Sequence, residues 1–456
     1  MPDPFLLAHS VGPGLFEISG LRPISIRDQM VRGRMLVERA TAEGLLGPHR
    51  RLLVIGAGAG GVSAAITAAQ RGVRTLLVER TRGPFVRQQS CTRHIDPTIY
   101  DWPASHWDRG HYPWTPPPMP LPWRAGSARA LALRWTHLLF TWRRRSMFRR
   151  FLNIRYDQPV LPDEVFSRGT SVVYAPPNAP AQYFGAAISC VGFGSERSSV
   201  AQYRGYDFWS DDPYDHPDLE LPPGTSVSAL VSGGGDGALQ DFIRILTTEP
   251  IQVVFKIVEA HVHLDQVREI EDRYQRACVW SAQRGDSHRV LDDWHRALDD
   301  VAERAWLSLR RGTSIGGIKA VLRHGIRIKL VHPCTHFTYC YAANRVLALV
   351  LARAHAHFEK IPLDEVLLHG NGVVDVAPTP PHSHPASPDD CHGRDHEVFI
   401  EPRSCGSPTS PRGSGSTRNS LGMGFNVVVV RHGIVRKPLF GDAPMIRQYL
   451  PYHAFQ

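Results

Sequence analysis

The sequence predicts an α/β fold made of two strand–turn–helix–strand units, with the second inserted into the first. Three observations support this prediction. Residues 51–80 read RLLVIGAGAGGVSAAITAAQRGVRTLLVER, in the order strand, glycine-rich turn, helix and strand. Residues 226–259 follow the same order around the turn SGGGDG. Between these stretches lies a strand-like run, AQYFGAAISC, that is followed by VGFG.

Length and composition are those of an ordinary globular protein. The 456 residues suffice for two or three domains, and 42% of them are hydrophobic. The net charge of +9 favours anionic ligands such as dinucleotides, and we expect no nucleic-acid partner. Seven cysteines without a CxxC pair, and a first segment unlike a signal peptide, predict a cytoplasmic protein. No run of about 18 apolar residues occurs, so no membrane span is expected.

The first unit begins, after an irregular lead-in over 1–23, with a helix capped by Ser25 and ending near 44–48. The strand 51–55 then enters the turn, where glycines stand at G-x-G-x-x-G spacing. Gly56 permits the tight turn, Gly58 lets a pyrophosphate approach the backbone, and Gly61 allows the helix to pack closely on the strand. Glu79, at the end of the strand 75–78, is placed to accept hydrogen bonds from ribose hydroxyls.

This fingerprint does not choose between FAD and NAD. The alternative interpretation is a glycine-rich turn that binds nothing, but the strand, helix, second strand and acidic residue together favour a dinucleotide.

The segment Gln88 to Trp107 is rich in polar, aromatic and proline residues and is predicted to be an ordered loop. It either lines a flavin or substrate pocket or is a rigid surface loop. The candidates for lining a pocket are Gln88, Gln89, Arg93, Tyr100 and Trp102, of which Arg93 would meet the pyrophosphate. A long helix over 127–150 follows, and its basic end is interpreted as a solvated face rather than a membrane or nucleic-acid contact. Strands are then predicted at 154–160, 171–174 and 181–190, the last with Gly192 just beyond its end.

The second unit has a strand over 226–231, a G-x-G-x-x-A turn, a helix over 239–246 and a strand over 251–258. Its turn residues are Gly233, Gly235 and Ala238, and Glu259 takes the place of the ribose acid. Asp236 is compatible with an acid at the start of the helix, but it also puts a negative charge beside any phosphates, which weakens the dinucleotide interpretation.

The remaining chain is predicted to hold helices over 267–309 and 342–358 and strands over 326–331 and 426–431. The stretch 379–420 reads as a flexible segment rich in Pro, Ser, Gly and His. Its His and Cys spacing matches no standard zinc pattern, so we predict no metal site. The domains are therefore 1–200, an inserted unit at 201–325, and a return to the first domain over 326–456.

The two glycine turns, with the strand ending at Gly192 between them, resemble the plan of flavoproteins with two dinucleotide-binding domains, such as flavin-dependent monooxygenases and pyridine nucleotide-disulfide reductases. The resemblance implies FAD at the first turn and NAD(P)H at the second. The redox-active cysteine pair of the disulfide reductases is missing, which argues against that branch. The segment Gln88 to Trp107 also resembles a stretch of uncharacterised bacterial FAD/NAD(P)-binding proteins. The implied activity is an FAD-dependent oxidoreductase acting on a small molecule, with an NAD(P)H-dependent monooxygenase as its specific form.

The predicted cofactor contacts follow from the residue patterns and from the family resemblance together. They are Gly56, Gly58, Ala59, Gly60, Gly61, Glu79, Arg80, Gln88, Arg93, Gly192, Gly233, Gly235 and Ala238. No catalytic residue is predicted, because the cofactor carries the redox chemistry.

Two other classes remain open. SGGGDG also resembles the loop of aminopropyltransferases and related methyltransferases that bind S-adenosylmethionine derivatives, which would explain Asp236. A non-catalytic nucleotide-sensing protein with a Rossmann core is the third class. The substrate, the choice between NADH and NADPH, and the oligomeric state do not follow from the sequence.

Overall fold

The computed structural model describes residues 3–19, 25–97, 99, 102, 120–192, 194–200, 203–212, 214, 226–271, 273–274, 287–332, 337, 340–378, 396–402, 421–435 and 437–441. The chain divides into two compact units. The first unit comprises Met1–Ser195, Gln275–Ser287 and Ile434–Gln456, and the second comprises Glu196–Tyr274 and His288–Gly433.

The α-helices whose full extent lies within the described residues are α1 (Pro4–His9), α2 (Ile26–Ala42), α3 (Ala59–Gln70), α4 (Val86–Gln89), α5 (Ala128–Arg144), α6 (Ser146–Phe151), α7 (Asp236–Leu246), α8 (Ile251–Glu259), α9 (Ser287–Arg311), α10 (Ile315–Val321), α11 (Ala342–Glu359) and α12 (Leu363–Val366). No helix in these ranges is both long and apolar enough to cross a membrane.

The strands are β1 (Ser10–Gly12), β2 (Leu15–Glu17), β3 (Leu52–Ile55), β4 (Thr75–Val78), β5 (His94–Ile95), β6 (Gly126–Ser127), β7 (Leu152–Arg155), β8 (Val165–Arg168), β9 (Ser171–Tyr174), β10 (Gln182–Phe184), β11 (Ala186–Ser189), β12 (Ser195–Glu196), β13 (Ser199–Val200), β14 (Tyr203–Arg204), β15 (Val227–Ser232), β16 (Ile326–His332), β17 (Leu367–Pro378), β18 (His396–Pro402), β19 (Leu421–Phe425), β20 (Val427–Val430) and β21 (Ile434–Val435).

The first unit is built on a six-stranded sheet of order β1-β2-β11-β3-β4-β7. From β2 to β7 the neighbouring strands are parallel, and only β1 runs antiparallel to its neighbour. The predicted strand–helix–strand unit is present as β3, α3 and β4. Helix α2 begins at the predicted capping box, in which the Ser25 hydroxyl accepts from the Asp28 N–H. The predicted α/β class is therefore confirmed.

Three predictions in this unit are corrected. The lead-in over 1–23 contains β2, which pairs in parallel with β11. The predicted strand 181–190 is two strands of different sheets, divided at Gly185, where a Cβ would lie 2.1 Å from the Leu45 carbonyl oxygen. The long helix over 127–150 breaks at Arg145, whose backbone is extended with ψ of 136°.

The second unit contains another six-stranded sheet, of order β19-β18-β17-β16-β15-β20. Strands β20, β15, β16 and β17 are parallel neighbours, and β18 and β19 extend the sheet antiparallel. Strand β15, the first strand of this sheet along the chain, precedes the second glycine turn. The α/β class of this unit is therefore also as predicted.

Two predictions about the second unit differ from the structure. Strands β16 and β20 pair with β15, and the second unit extends to Gly433, so the return to the first unit begins at Ile434 rather than at residue 326. The predicted strand 251–258 is helix α8. Its buried residues Ile251, Val254, Phe255 and Val258 recur at helical spacing, and a short apolar run of this kind does not distinguish strand from helix.

Candidate functional site

The candidate site lies at the carboxyl edge of the first sheet, where the strand order reverses. From β3 the chain proceeds to β4 and β7 on one side and later returns to β11 on the other. In open parallel sheets, ligands bind outside the carboxyl ends of the strands at such a switch point. The parallel register pairs Ser189 with Ile55, so the turns after β11 and β3 emerge side by side.

Gly56 and Gly61 are required by the packing of the protein itself. Gly56 has φ of +102°, and a Cβ on it would lie 2.4 Å from the Cys190 carbonyl oxygen. A Cβ on Gly61 would lie 1.9 Å from the Gly56 carbonyl oxygen. Both glycines therefore hold strand β3, strand β11 and helix α3 at distances that no side chain permits, as predicted for Gly56 and Gly61.

Gly60 is also required for packing within the protein and does not face open space. A Cβ on it would lie 2.8 Å from Ile18 Cδ1 and 3.1 Å from the Gln29 carbonyl oxygen. Helix α3 thus contacts helix α2 through this position. Ala59 is buried at 7% exposure. The predicted contacts of Gly60 and Ala59 with a cofactor are then limited to their backbone atoms.

Gly58 differs from the other glycines of the turn. It is the N-cap of α3, with no side-chain hydrogen bond capping the helix, and a Cβ on it would meet no atom within 4 Å. The first N–H groups of a helix have no partner within the helix and carry the positive end of its dipole. The backbone at Gly58 is therefore the part of the turn that an anionic group can approach.

Glu79 fastens the turn to the strand that follows it. Its Oε2 accepts a hydrogen bond from the Ala57 N–H at 2.6 Å. Its Oε1 accepts from the Thr81 N–H at 2.9 Å and from the Thr81 hydroxyl at 2.8 Å. A carboxylate has about four lone-pair sites, so three protein donors leave capacity for a ligand hydroxyl. Binding of a ribose by Glu79 stays a prediction, and the contacts with Ala57 and Thr81 are additional to it.

The segment after β4 reaches the glycine turn through Phe85. The Phe85 N–H donates to the Ala57 carbonyl oxygen at 3.1 Å, and Phe85 itself has φ of +57°. Nothing in the sequence marks this non-glycine residue for a left-handed conformation, and sequence reasoning missed its contact.

The predicted pocket residues of the following loop lie in different environments. Arg80 is exposed, Gln88 is half-buried in α4, and Arg93 is 2% exposed. Gln89 donates from Nε2 to the Pro84 carbonyl oxygen at 2.8 Å. Trp102 is buried, and Tyr100 lies outside the described residues. An approach of the buried Arg93 guanidinium to a pyrophosphate stays a prediction.

Gly192 follows β11 at the same sheet edge. Its φ is +88°, and a Cβ on it would meet no atom within 4 Å. Gly58 and Gly192 thus lie in the turns after two neighbouring strands, and at both positions there is open space where a side chain would be.

The second glycine turn repeats the backbone arrangement of the first. Gly233 has φ of +144°, and a Cβ on it would lie 2.4 Å from the Arg431 carbonyl oxygen, just beyond the neighbouring strand β20. Gly235 is the N-cap of α7, and Ala238 is buried beside Gly233. The same close approach of a glycine to the residue after a parallel strand therefore occurs in both units.

Asp236 has a structural partner in the second unit. Its Oδ1 accepts from the Tyr341 N–H at 2.8 Å and from Asn344 Nδ2 at 2.6 Å, at the N-terminus of α11. A carboxylate at a helix N-terminus is stabilising. These contacts account for an acidic residue at position 236 without a bound S-adenosylmethionine derivative. Glu259 is the last residue of helix α8 rather than the residue after a strand, so its predicted role as a ribose acid is corrected.

A buried ionic network underlies the second turn. Asp241 is fully buried, and its two oxygens accept from Arg244 Nη1 and Arg431 Nε, both at 2.7 Å. Arg244 also donates from Nη2 to Asp212 at 2.7 Å, while Arg431 donates to the Tyr206 carbonyl oxygen. Neighbouring carboxylates raise the pKa of Arg431 against the opposing effect of burial. The network fixes the chain just beyond β20 against α7, and sequence reasoning missed it because its members are far apart in the chain.

The polar segment HPCTHFTYCY, which begins at the end of β16, is described only in part. His332 is buried with its ring 5.0 Å from that of Phe337, and Cys340 is buried. Within the described ranges, no group of three or more His, Cys, Asp or Glu residues is placed to hold a metal ion. The His-rich stretch ahead of β18 lies outside those ranges.

Comparison with protein families agrees with the geometry of the first turn. Residues 54–115 match the family model described as an NAD(P)-binding Rossmann-like domain. This range contains the turn after β3, helix α3 and Glu79, so the predicted nucleotide-binding unit is confirmed as Rossmann-like. No curated protein matches the chain.

Several solved structures resemble the chain. A mutant flavin monooxygenase from Stenotrophomonas maltophilia is 15% identical, over 43% of this chain and 54% of its own, with a TM-score of 0.27. Thioredoxin reductase from Lactococcus lactis is 11% identical over 86% and 80%, with a TM-score of 0.33. A bacillithiol disulfide reductase from Staphylococcus aureus is 11% identical over 85% and 77%, with a TM-score of 0.38. The chain thus matches about half the length of the monooxygenase.

Proposed function

We propose that the protein is an FAD-dependent oxidoreductase that uses NAD(P)H, with monooxygenation of a small molecule as the specific reaction. The observation that carries the proposal is the carboxyl edge of the first sheet. An uncapped helix N-terminus, the open backbone of Gly58 and the open turn at Gly192 meet there at a switch point.

The choice of FAD for the first unit rests on the order of the two sheets in the chain. The first sheet is interrupted after β11 by a second sheet with its own glycine turn, and the chain returns to the first unit at Ile434. This is the order of a flavin domain with an inserted nicotinamide domain.

In this arrangement the chain supplies binding and orientation, while bound FAD supplies the redox chemistry. The helix N-terminus at Gly58 would hold the pyrophosphate, Glu79 would accept from a ribose hydroxyl, and the open turn at Gly192 would leave space for the rest of the cofactor. In the second unit, the turn from Gly233 to Ala238 would hold the nicotinamide dinucleotide. Among the described residues, Cys91, Cys190 and Cys340 are buried and form no disulfide, in keeping with a reducing cytoplasm as the location.

The first test is the absorbance of the purified protein. We expect a flavin band near about 450 nm that bleaches on addition of NADH or NADPH without oxygen. A colourless protein that does not take up FAD contradicts the flavin assignment. A yellow protein that neither nicotinamide cofactor reduces supports a nucleotide sensor instead, and a methyl- or aminopropyl-transfer activity without flavin supports the transferase.

Gly58→Ala is expected to lose flavin while keeping its fold. The substitution adds a methyl group where no protein atom lies within 4 Å, and φ at this residue is −72°, which alanine adopts without strain. The methyl group would instead meet the pyrophosphate. We expect flavin occupancy to fall at least about tenfold, measured as the ratio of flavin to protein absorbance, with the circular dichroism spectrum unchanged. Full flavin occupancy in this variant would place the dinucleotide elsewhere.

Glu79→Ala is expected to lower both flavin occupancy and stability. It removes acceptors from the Ala57 and Thr81 N–H groups as well as from the ribose, and lost hydrogen bonds of this kind cost about 1–3 kcal/mol. Equilibrium dialysis with FAD and urea unfolding of the apoprotein measure the two effects separately. Thr81→Ala is the control, because it removes a hydroxyl partner of Glu79 and leaves the carboxylate. A Glu79→Ala protein that binds FAD as tightly as Thr81→Ala does would exclude the ribose role.

A further inference from the structure

Helix α5 has a second face that the proposed redox function does not use. Its inner face packs through Ala128, Leu131, Ala132, Trp135 and Leu139, all buried. On the opposite side, Leu133 is 58% exposed and Phe140 is 45% exposed. They are seven residues apart, so they lie on one line about two helical turns in length. Exposed side chains of this size along one line form a small apolar stripe.

Arginines surround this stripe. From Ala128 to Arg155 the chain carries eight arginines and no Asp or Glu, which nearly equals the net charge of +9 for the whole chain. These arginines are Arg129, Arg134, Arg143, Arg144, Arg145, Arg149, Arg150 and Arg155. At about 3.6 residues per turn, Arg129 and Arg143 lie on one side of the stripe, Arg134 lies on the other, and Arg144 extends it.

The charge is not balanced locally within the part of the chain that the structure describes. No salt bridge joins a carboxylate of those residues to any of six arginines, which are Arg134, Arg143, Arg144, Arg145, Arg149 and Arg150. Arg129 donates to the Gln89 carbonyl oxygen, and Arg150 lies 5.5 Å from the Phe151 ring centroid. A surface with this excess of charge attracts an anionic partner.

We propose that the outer face of α5, together with the basic turn into α6, is a docking surface for an anionic lipid bilayer. Arginines flanking exposed Leu and Phe are the composition of a helix that lies in the membrane interface. The phosphates of a nucleic acid would pair with the arginines but would leave Leu133 in water, whereas a bilayer accepts the apolar stripe and the charges together. The inference is independent of the cofactor at the glycine turns.

The test is sedimentation of the full chain with vesicles of phosphatidylcholine alone or with about one-third phosphatidylserine. We expect binding to the anionic vesicles only, weakening as salt is raised. Leu133→Ser with Phe140→Ser is expected to reduce partitioning roughly 10- to 100-fold. Arg143→Gln, Arg144→Gln and Arg145→Gln together are expected to reduce it by roughly two orders of magnitude.

Matched controls lie elsewhere on the first unit. Leu161 is 55% exposed, and the Arg82 side chain is 95% exposed, so Leu161→Ser and Arg82→Gln change the same chemistry outside α5 and are expected to bind as the unaltered protein does. Equal or absent binding to both vesicle types overturns the proposal. Retention on heparin or duplex DNA without vesicle binding also overturns it and assigns the arginines to a polyanion. Vesicle binding that the stripe variant leaves unchanged excludes this face.

Discussion

Gly56→Ala is expected to lower the free energy of unfolding by about 3 kcal/mol. Two costs combine in this variant. Alanine at φ of +102° is strained, and its Cβ would lie 2.4 Å from the Cys190 carbonyl oxygen, which forces β3 and β11 apart. Because the obstacle is backbone just beyond the ends of two neighbouring strands, rotation of a side chain cannot relieve it.

Gly44→Ala separates these two costs. Gly44 also has a left-handed backbone, with φ of +69°, but a Cβ on it would meet no atom within 4 Å. It therefore carries the conformational cost alone, of about 1 kcal/mol. Urea unfolding followed by circular dichroism, with Gly58→Ala as an unstrained third variant, measures the difference. Equal destabilisation by Gly56→Ala and Gly44→Ala would show that the contact with Cys190 contributes nothing.

The Rossmann-like core was predictable because its signals are local. A buried strand, glycines at fixed spacing and a helix of small residues follow one another within 51–80, and each constrains its neighbour. Strand β2 was missed because three residues beside Gly14 carry too little periodicity to mark a strand. The membership of β16 and β20 in the second sheet depends on pairing with β15 across about one hundred and about two hundred residues, and periodicity within a segment carries no information on its partner.

The site shows the same division between local and distant information. The sequence indicates that the first turn needs glycines, but only contacts between distant residues separate their roles. Gly56 and Gly61 meet backbone, Gly60 meets helix α2, and Gly58 alone is open. For Asp236, the sequence leaves open an acid at the start of a helix and an acid beside a ligand, and its partners Tyr341 and Asn344 lie more than a hundred residues away in the chain.

Asp241→Ala is expected to destabilise the second unit by about 3–5 kcal/mol. The variant leaves the buried Arg431 and Arg244 without the carboxylate that both contact at 2.7 Å. A buried charge without a partner costs more than the pair itself contributes. Because the chain has two units, unfolding need not be two-state, so the transition is followed by hydrogen exchange of amides in α7 and β20.

Two further variants decide whether the lost charge pair is the cause. Glu269→Ala removes the acid of an exposed pair with Arg273 and is expected to change stability by less than about 1 kcal/mol. Arg431→Met in the Asp241→Ala background removes the stranded charge and is expected to restore part of the stability, since an apolar replacement of a buried pair is often tolerated. If Arg431→Met restores no stability, the destabilisation comes from the cavity that Asp241→Ala leaves rather than from the unpaired charge. Because the Arg431 carbonyl oxygen faces Gly233, a loosened Asp241→Ala network should also weaken NAD(P)H binding at the second turn while leaving flavin occupancy at the first unchanged.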